Sequence, residues 1–394
     1  MGFSAEERLY GRCNNSSTVS YIEEIEDLTQ MHEEDFILNV GPQHPSTHGV
    51  LRLKIKLQGE TVVHIEPHIG YIHRSIEKMC EASSYRNFIY LTSRMDYLSA
   101  HINNQACAMA VEKGLQLEIP KRAKVIRMLM AELTRLASHQ LWWAATGLDL
   151  GATTPFFVGF RDREVIMDIF DETCGSRLTM DYNVPGGVMM DIHPNFQKNV
   201  HAFLKSFKKN LPEYDKLLTG NVIFQNRTKG VGYLSPEDAV SFGCTGPTAR
   251  ASGISCDIRK WHPYDGYEEV QFNEILETNG DCYARYCVRM KEMDESVKII
   301  EQLIDNIPEG DFQAKTKAVL KLPKGEFYSR VETARGELGV YLVSDGTSKP
   351  YRMKFRSPNF SHLSALKQMA TGGKIGDLVA IMAMLDMIIP DIDR

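Results

Sequence analysis

The chain has 394 residues, 43% of them apolar and 24% charged, with a formal net charge of −6. That apolar share can bury a large core, and the acidic balance speaks against a nucleic-acid partner. Its eight cysteines include no CxxC spacing, so reduced, mostly buried thiols are expected rather than a disulfide scaffold. By length alone the chain could form one large domain or two to three smaller ones.

Residues 1–35 read as an acidic N-terminal tail. Glu23, Glu24, Glu26, Asp27, Glu33, Glu34 and Asp35 come with no Lys or Arg among them. Neither an Arg-rich presequence nor an apolar secretory signal fits, so the chain is expected to be made where it works. Next comes Gly41-Pro42-Gln43-His44-Pro45-Ser46-Thr47-His48-Gly49-Val50. Pro42 and Pro45 remove backbone donors and fix φ, and the glycines punctuate both ends, which predicts a rigid loop rather than a helix. Residues 51–57 alternate apolar and cationic side chains, the pattern of a half-buried strand. Gln58-Gly59-Glu60 reads as a turn and residues 61–65 as the returning strand. Residues 36–67 are thus expected to form a β-hairpin region entered by a loop that carries two imidazoles.

A helical body is expected over 68–310. Pro120-Lys121-Arg122 opens a helix carrying Val125, Ile126, Met128, Met130, Leu133, Leu136 and Trp143, with a charged face at Lys124, Arg127 and Glu132. Further helices are expected over 161–172 and 195–218. Ser235-Pro236 reads as a helix start with Ser at N-cap and Pro at N1. Residues 272–307 read as one long helical stretch with a break near Asn279-Gly280. Over 311–394, strands at 326–331, 338–343 and 351–355 precede helices at 363–369 and 374–389. The longest apolar run near the C-terminus, residues 378–385, is far short of the roughly 20 needed to span a membrane. The fold class is therefore α+β and mainly helical. A central helical bundle carries a small N-terminal β-hairpin sheet and a small C-terminal β element, in one domain over 36–394.

Three features could carry chemistry. His44 and His48 form an HxxxH, which on a helix would be half of a zinc site. In this loop, with no third ligand nearby in sequence, zinc is not expected. The residues alone leave two readings, imidazoles bonded to backbone carbonyls or a functional pair that titrates near neutral pH. Tyr97 is either a core tyrosine or a phenol placed to donate a proton. Asp149, in Gly147-Leu148-Asp149-Leu150-Gly151, stands at a helix C-terminus, where the dipole disfavours an acid. It is either an exposed capping acid or a carboxylate held there for use.

The stretch GPQHPSTHGVLR over 41–52 resembles the signature of the 49-kDa-type subunit of respiratory complex I, the proton-pumping NADH:quinone oxidoreductase. Gly70-Tyr71-Ile72-His73-Arg74-Ser75-Ile76-Glu77-Lys78 and Thr92-Ser93-Arg94-Met95-Asp96-Tyr97 resemble two further family segments. Pro185-Gly186-Gly187-Val188, Gly246-Pro247, Arg250 to Gly253 and the terminal Asp391-Ile392-Asp393-Arg394 follow in the family's order. The resemblance runs over about residues 36–394. It implies a fold similar to that of nickel–iron hydrogenase large subunits. It also implies a peripheral-arm subunit that forms the quinone-reduction site with an adjacent iron–sulfur subunit and couples electron transfer to proton translocation.

In that comparison His48, Tyr97 and Asp149 are the catalytic positions, and His44, His48 and Tyr97 meet the quinone. Asp149 would orient the imidazole of His48. Arg74 and Arg94 would lie near the terminal iron–sulfur cluster held by the neighbouring subunit, where fixed positive charge raises a cluster's potential. Glu77, three residues after Arg74, would pair with it on one helix face. Quinone would be the substrate, with no metal or other cofactor bound by this chain. NAD(H) and the clusters would belong to partners. Those partners would be the terminal-cluster iron–sulfur subunit, a 30-kDa-type subunit, a ferredoxin-like subunit and a quinone-channel membrane subunit. The chain would sit on the cytoplasmic face of a bacterial inner membrane, attached through its partners, or alternatively on the matrix side of a mitochondrial inner membrane.

One departure stands out. In Gly175-Ser176-Arg177-Leu178-Thr179, Thr179 holds the place where many family members carry a histidine that links the cluster's potential to pH. A threonine cannot titrate there. Two other functions compete with this one. An active nickel–iron hydrogenase needs two CxxC pairs, because soft thiolates hold its metals. Here Asp96 and Ser99 stand near the first of these places and residues 390–393 near the second. A non-catalytic scaffold fits poorly with the titratable residues of the loop and Tyr97.

Overall fold

The computed structural model describes residues 35–394, so the expected acidic tail lies outside the described residues apart from Asp35. Strands β1 (Asp35–Val40), β2 (Arg52–Gln58) and β3 (Thr61–His68) form an antiparallel sheet in the order β1-β2-β3. The expected hairpin is β2 and β3. The sheet also contains β1, whose Leu38 and Val40 pair with Ile55 and Leu53. The histidine loop therefore joins two strands paired to each other, which fixes both of its ends.

The helical body contains α1 (Ile76–Ala82), α2 (Ala100–Leu115), α3 (Lys121–Asp149), α4 (Thr153–Cys174), α5 (Phe196–Tyr214) and α6 (Cys282–Ile304). A two-residue hairpin, β4 (Asn183–Val184) with β5 (Gly187–Val188), lies between α4 and α5. The C-terminal part is a second antiparallel sheet of β6 (Gly325–Glu332), β7 (Glu337–Ser344) and β8 (Arg352–Arg356). It is followed by α7 (Pro358–Ala370), α8 (Ile375–Leu385) and α9 (Ile389–Asp393). The architecture is α+β and mainly helical, as expected. The Ser235 cap forms too: its hydroxyl accepts from the Asp238 amide at 3.0 Å, with Pro236 at the first helical position. No helix among the described residues is long and apolar enough to cross a membrane. Cys80, Cys107, Cys244 and Cys282 are buried, and all the described cysteines are free.

Helix α3 is the axis of the body. Its 29 residues make a rod about 43 Å long, packed against α4, α6 and α8. Here one expectation fails. Arg127 and Glu132 do not form a solvated face; both are completely buried. Glu132 accepts from Tyr267 Oη and Ser296 Oγ, each at 2.7 Å, and from Arg259 at 3.1 Å. Burial alone would raise this carboxyl, but Arg135 and Arg259 hold it down to about 2. Arg127 bonds Glu112 at 2.6 Å and the Val184 carbonyl at 2.8 Å. These partners come from segments far apart in sequence, so a helical wheel of α3 cannot reveal them.

Two further boundaries differ from expectation. The stretch expected as helix from residue 272 is irregular until Asp281, whose carboxylate caps α6 by accepting from the Ala284 amide at 2.7 Å. Gly280 turns the chain there at φ +62°, where a Cβ would meet the Leu234 carbonyl at 2.5 Å. The helix expected over 374–389 ends at Leu385. Asp386 then adopts the left-handed conformation at φ 53°, and α9 starts afresh.

Arg250 joins α6 to the C-terminal sheet. It bonds Glu292 at 2.6 Å and Glu332 at 2.7 Å, and all three groups are buried. Removing one partner of such a cluster strands buried charge, a loss of about 3–5 kcal/mol. Arg250→Met should therefore lower the urea midpoint of the purified subunit by that equivalent. An unchanged midpoint would show that the two carboxylates are neutralised in some other way.

Candidate functional site

The histidine loop is built by local bonds. Pro45–Thr47 make one 3-10 turn, capped by His44, whose Nδ1 accepts from the Ser46 amide at 3.2 Å. The Thr47 hydroxyl lies 2.7 Å from the His44 carbonyl and 2.8 Å from that of Gly49. His48 ends the turn in the left-handed conformation, φ 52° and ψ 31°. It is the partner of Asp149, the last residue of α3, with Nε2 to Oδ2 at 2.6 Å. The acid that looks misplaced at a helix C-terminus thus has its cation.

This pair opens into a cavity of about 630 Å³ whose lining includes His44, His48, Tyr97 and Asp149. Four of the six expected site residues are brought together there. Leu98, Leu141, Trp142 and Ala145 supply apolar wall. The size and the few converging polar groups suit a flat organic ligand. A larger cavity, about 1190 Å³, lies at the other end of α3 and contains none of these residues.

Arg74 and Arg94 lie outside the cavity, together on the surface. The Arg74 guanidinium donates to the Arg94 carbonyl at 2.9 Å, and Arg94 reaches Asp181 at 3.5 Å. The expected pairing of Arg74 with Glu77 is absent. Ser75 breaks the backbone between them at φ 56°, and Glu77 instead takes Lys354 at 3.1 Å and Arg394 at 3.3 Å. Thr179 sits two residues from Asp181 with φ 34°. A β-branched residue is strained in that region, and such strain collects at functional positions.

Beneath the cavity is a charged floor not foreseen from the sequence. Asp386 lines the cavity. Its Oδ1 accepts from Arg335 at 3.1 Å, and its other oxygen lies 3.9 Å from Arg289. Arg335 also bonds Asp96 at 3.1 Å and Ser138 at 2.9 Å, and lies 3.4 Å from Ser99. The Arg289 guanidinium stacks over Trp142, 4.8 Å from the ring centroid. The one sequence signal for Asp386 is an acid placed directly after the apolar run. Asp96 and Ser99 thus both face the Arg335 guanidinium. Near the chain end, Asp391 accepts from Ser357 and Asn359 and is raised to about 6, by burial first and then by the charge of Asp96. Asp393 accepts from the Gly70 and Ile72 amides, each at 2.9 Å. Among the described residues no group of three His, Cys, Asp or Glu side chains is arranged to hold a metal ion.

These surroundings set proton affinities. Burial works to lower His48, but the hydrogen bond and charge of Asp149, with Asp386 behind, outweigh it and raise the imidazole above its ordinary value. Burial raises the Tyr97 phenol, with Arg335 opposing. At neutral pH the cavity therefore holds a protonated phenol and an imidazole biased toward protonation, which are two proton donors facing one space.

Comparison with known proteins adds an independent line. The family described as the 49-kDa subunit of respiratory-chain NADH dehydrogenase matches residues 149–394. The C/D-type NADH-quinone oxidoreductase subunit of Bacteroides thetaiotaomicron is 53% identical over 362 residues, covering 92% of this chain and 68% of that protein. The D-type NADH-quinone oxidoreductase subunit of Clostridium beijerinckii is 47% identical, covering 93% of this chain and 99% of its own. That of Bacillus cereus is 45% identical, covering 91% and 99%.

The His48 shift has a definite sign. Its folded value is raised, so the stabilisation is complete below the unfolded value of about 6.5 and is lost as pH rises through the folded value. Asp149→Asn should lower the melting temperature most between about pH 5 and 6.5 and progressively less at higher pH. A difference that does not vary with pH would mean that His48 is neutral in the folded protein.

Proposed function

The chain belongs to the 49-kDa subunit family of the respiratory-chain NADH dehydrogenase, and on that premise we propose that the 630 Å³ cavity is its quinone-reduction site. The relatives' names make it one subunit of an NADH:quinone oxidoreductase. The observation that carries the site is the convergence of Tyr97 and the His48–Asp149 pair on one apolar-walled space. In this reading NADH is oxidised on another subunit. Electrons arrive singly from the terminal cluster of an adjacent iron–sulfur subunit, past the surface that bears Arg74 and Arg94. The 30-kDa-type, ferredoxin-like and quinone-channel subunits complete the surroundings, on the cytoplasmic face of the membrane.

The quinone takes up two electrons and two protons to become quinol. Tyr97 gives its phenolic proton to one carbonyl oxygen. His48, with Nε2 engaged by Asp149, presents Nδ1 to the other and gives its proton there. Both groups then take replacement protons from the solvent. His44, at the exposed start of the same turn, completes the headgroup contacts. Movement of the loop as His48 changes charge would pass the redox event toward proton translocation.

Tyr97→Phe should cut NADH:quinone turnover by about tenfold or more. Reduction of an artificial acceptor at the NADH end should stay unchanged, because that reaction does not use this cavity. Quinone reduction at the wild-type rate would remove Tyr97 from the mechanism. Thr179 gives a second test. With no titrating side chain there, the terminal cluster's potential should be nearly flat between about pH 6 and 8. Thr179→His, a residue that tolerates positive φ better, should introduce a slope approaching about 59 mV per pH unit. Redox titration followed by paramagnetic resonance reads both. A full slope in the wild type would show that another group does the coupling.

A further inference from the structure

Residues 305–324 cross the surface between α6 and β6 with no helix or strand of their own. Structureless connections this long inside a compact body are uncommon and usually functional. This one is pinned by its backbone. The Pro308 carbonyl accepts from Arg122 at 2.8 Å, the Ala314 amide donates to the Gly186 carbonyl at 2.8 Å, and Arg86 bonds the Lys317 carbonyl at 2.9 Å. The path is therefore fixed while selected side chains point out. Lys315, Lys317, Val319 and Lys321 fall on alternate residues and are exposed, Val319 by 60%. Leu320 and Leu322 turn into the core.

Beside this strap runs a groove of about 420 Å³, lined by Leu115 and Leu117 and by the strap residues Lys315, Thr316, Lys317, Val319, Leu320 and Lys321. Its lining contains no acidic residue. The three lysines form no ion pair among the described residues. The groove meets the 1190 Å³ cavity at Leu117, where Lys113 and Lys124 extend the cationic rim and Arg330 already faces Glu337 at 3.6 Å. Of the three acids that line that cavity, Glu112 and Asp265 already face Arg127, at 2.6 and 3.5 Å, and Glu118 stays exposed beside Leu117.

We propose that this strap and groove dock an acidic polypeptide segment of another soluble subunit of the oxidoreductase, which lays apolar side chains against Leu115, Leu117 and Val319. The inference rests on the reading of the chain as one subunit of that complex. Charge complementarity selects an acidic partner, since such patterning steers encounter and suppresses wrong partners. Apolar walls within the cationic rim select side chains over bare phosphates or headgroups. Position argues against a membrane surface. Lys124 and Asp149 lie at opposite ends of α3, roughly 40 Å apart, and the end at Asp149 carries the cavity that a membrane-borne quinone must enter.

The test uses the intact complex. A photo-crosslinking residue at position 317 should be captured by another soluble subunit. The K315E/K317E/K321E variant should re-associate with the rest of the complex at least about tenfold more slowly at low salt. The Lys→Gln triple variant should fall between it and the wild type, and the difference should shrink toward about 1 M salt. Exposed lysine changes leave the core intact, and an unchanged circular dichroism melt checks this. Crosslinks to lipid, nucleic acid, a second copy of this chain or the chain's own acidic residues 1–34 would overturn the proposal, as would triple variants that associate like the wild type. If the wild-type chain itself fails to co-purify with oxidoreductase subunits, the subunit reading falls and takes this inference with it.

Discussion

The structure around the site depends on one buried cation, Arg335. A guanidinium in a dry core is tolerated only when its charge and its donors are met. Arg335 meets both conditions by gathering groups that the chain keeps far apart: Asp96 from the segment before α2, Ser138 from α3, and Asp386 from the end of α8. Tyr97 is the neighbour of Asp96, and Asp386 lines the cavity itself. Satisfying one arginine therefore fixes two walls of the pocket. The same grouping balances the field. Arg335 works to lower both His48 and Tyr97, and Asp386 works to raise both. With those influences opposed, Asp149 decides the protonation of His48.

What is legible in the sequence is what local physics determines. Alternation over 51–57 specifies β2, and the prolines and glycines around His44 and His48 specify the loop. The apolar periodicity after Pro120 specifies α3, with Asp149 at its end. His48, Tyr97 and Asp149 stand out as candidates because they sit in such local contexts and in recognisable motifs. Arg127 and Glu132 mislead because a charged residue on an amphipathic helix defaults to solvent, and only tertiary structure supplies Glu112, Arg259 and Tyr267. Glu77 misleads for a related reason. The left-handed Ser75 removes the face it would share with Arg74, and the basic residues of β8 take the carboxylate. Asp386 hides as the polar end of an apolar helix, whereas its left-handed backbone turns it under the cavity.

The conformation of His48 connects this electrostatic design to chemistry. The imidazole hangs on a single 3-10 turn, held by the Thr47 hydroxyl and one backbone bond to Pro45, and Asp149 is the side chain its ring bonds. While the ring is protonated, a charge-assisted hydrogen bond locks it there. Once the proton leaves for a bound quinone, that bond keeps its anionic acceptor but loses the cationic donor, and it weakens. Burial, which opposed the charged ring, now favours the product. The same desolvation thus counts against the donor before transfer and for it afterwards, bringing the two states closer in energy. In the proposed mechanism the turn that carries His48, whose other hydrogen bonds stay within residues 44–49, then follows the ring away from Asp149, whereas the opposite wall is fixed through Arg335. In the proposed mechanism one rigid wall and one releasable wall let a proton transfer in this cavity become a displacement of the chain.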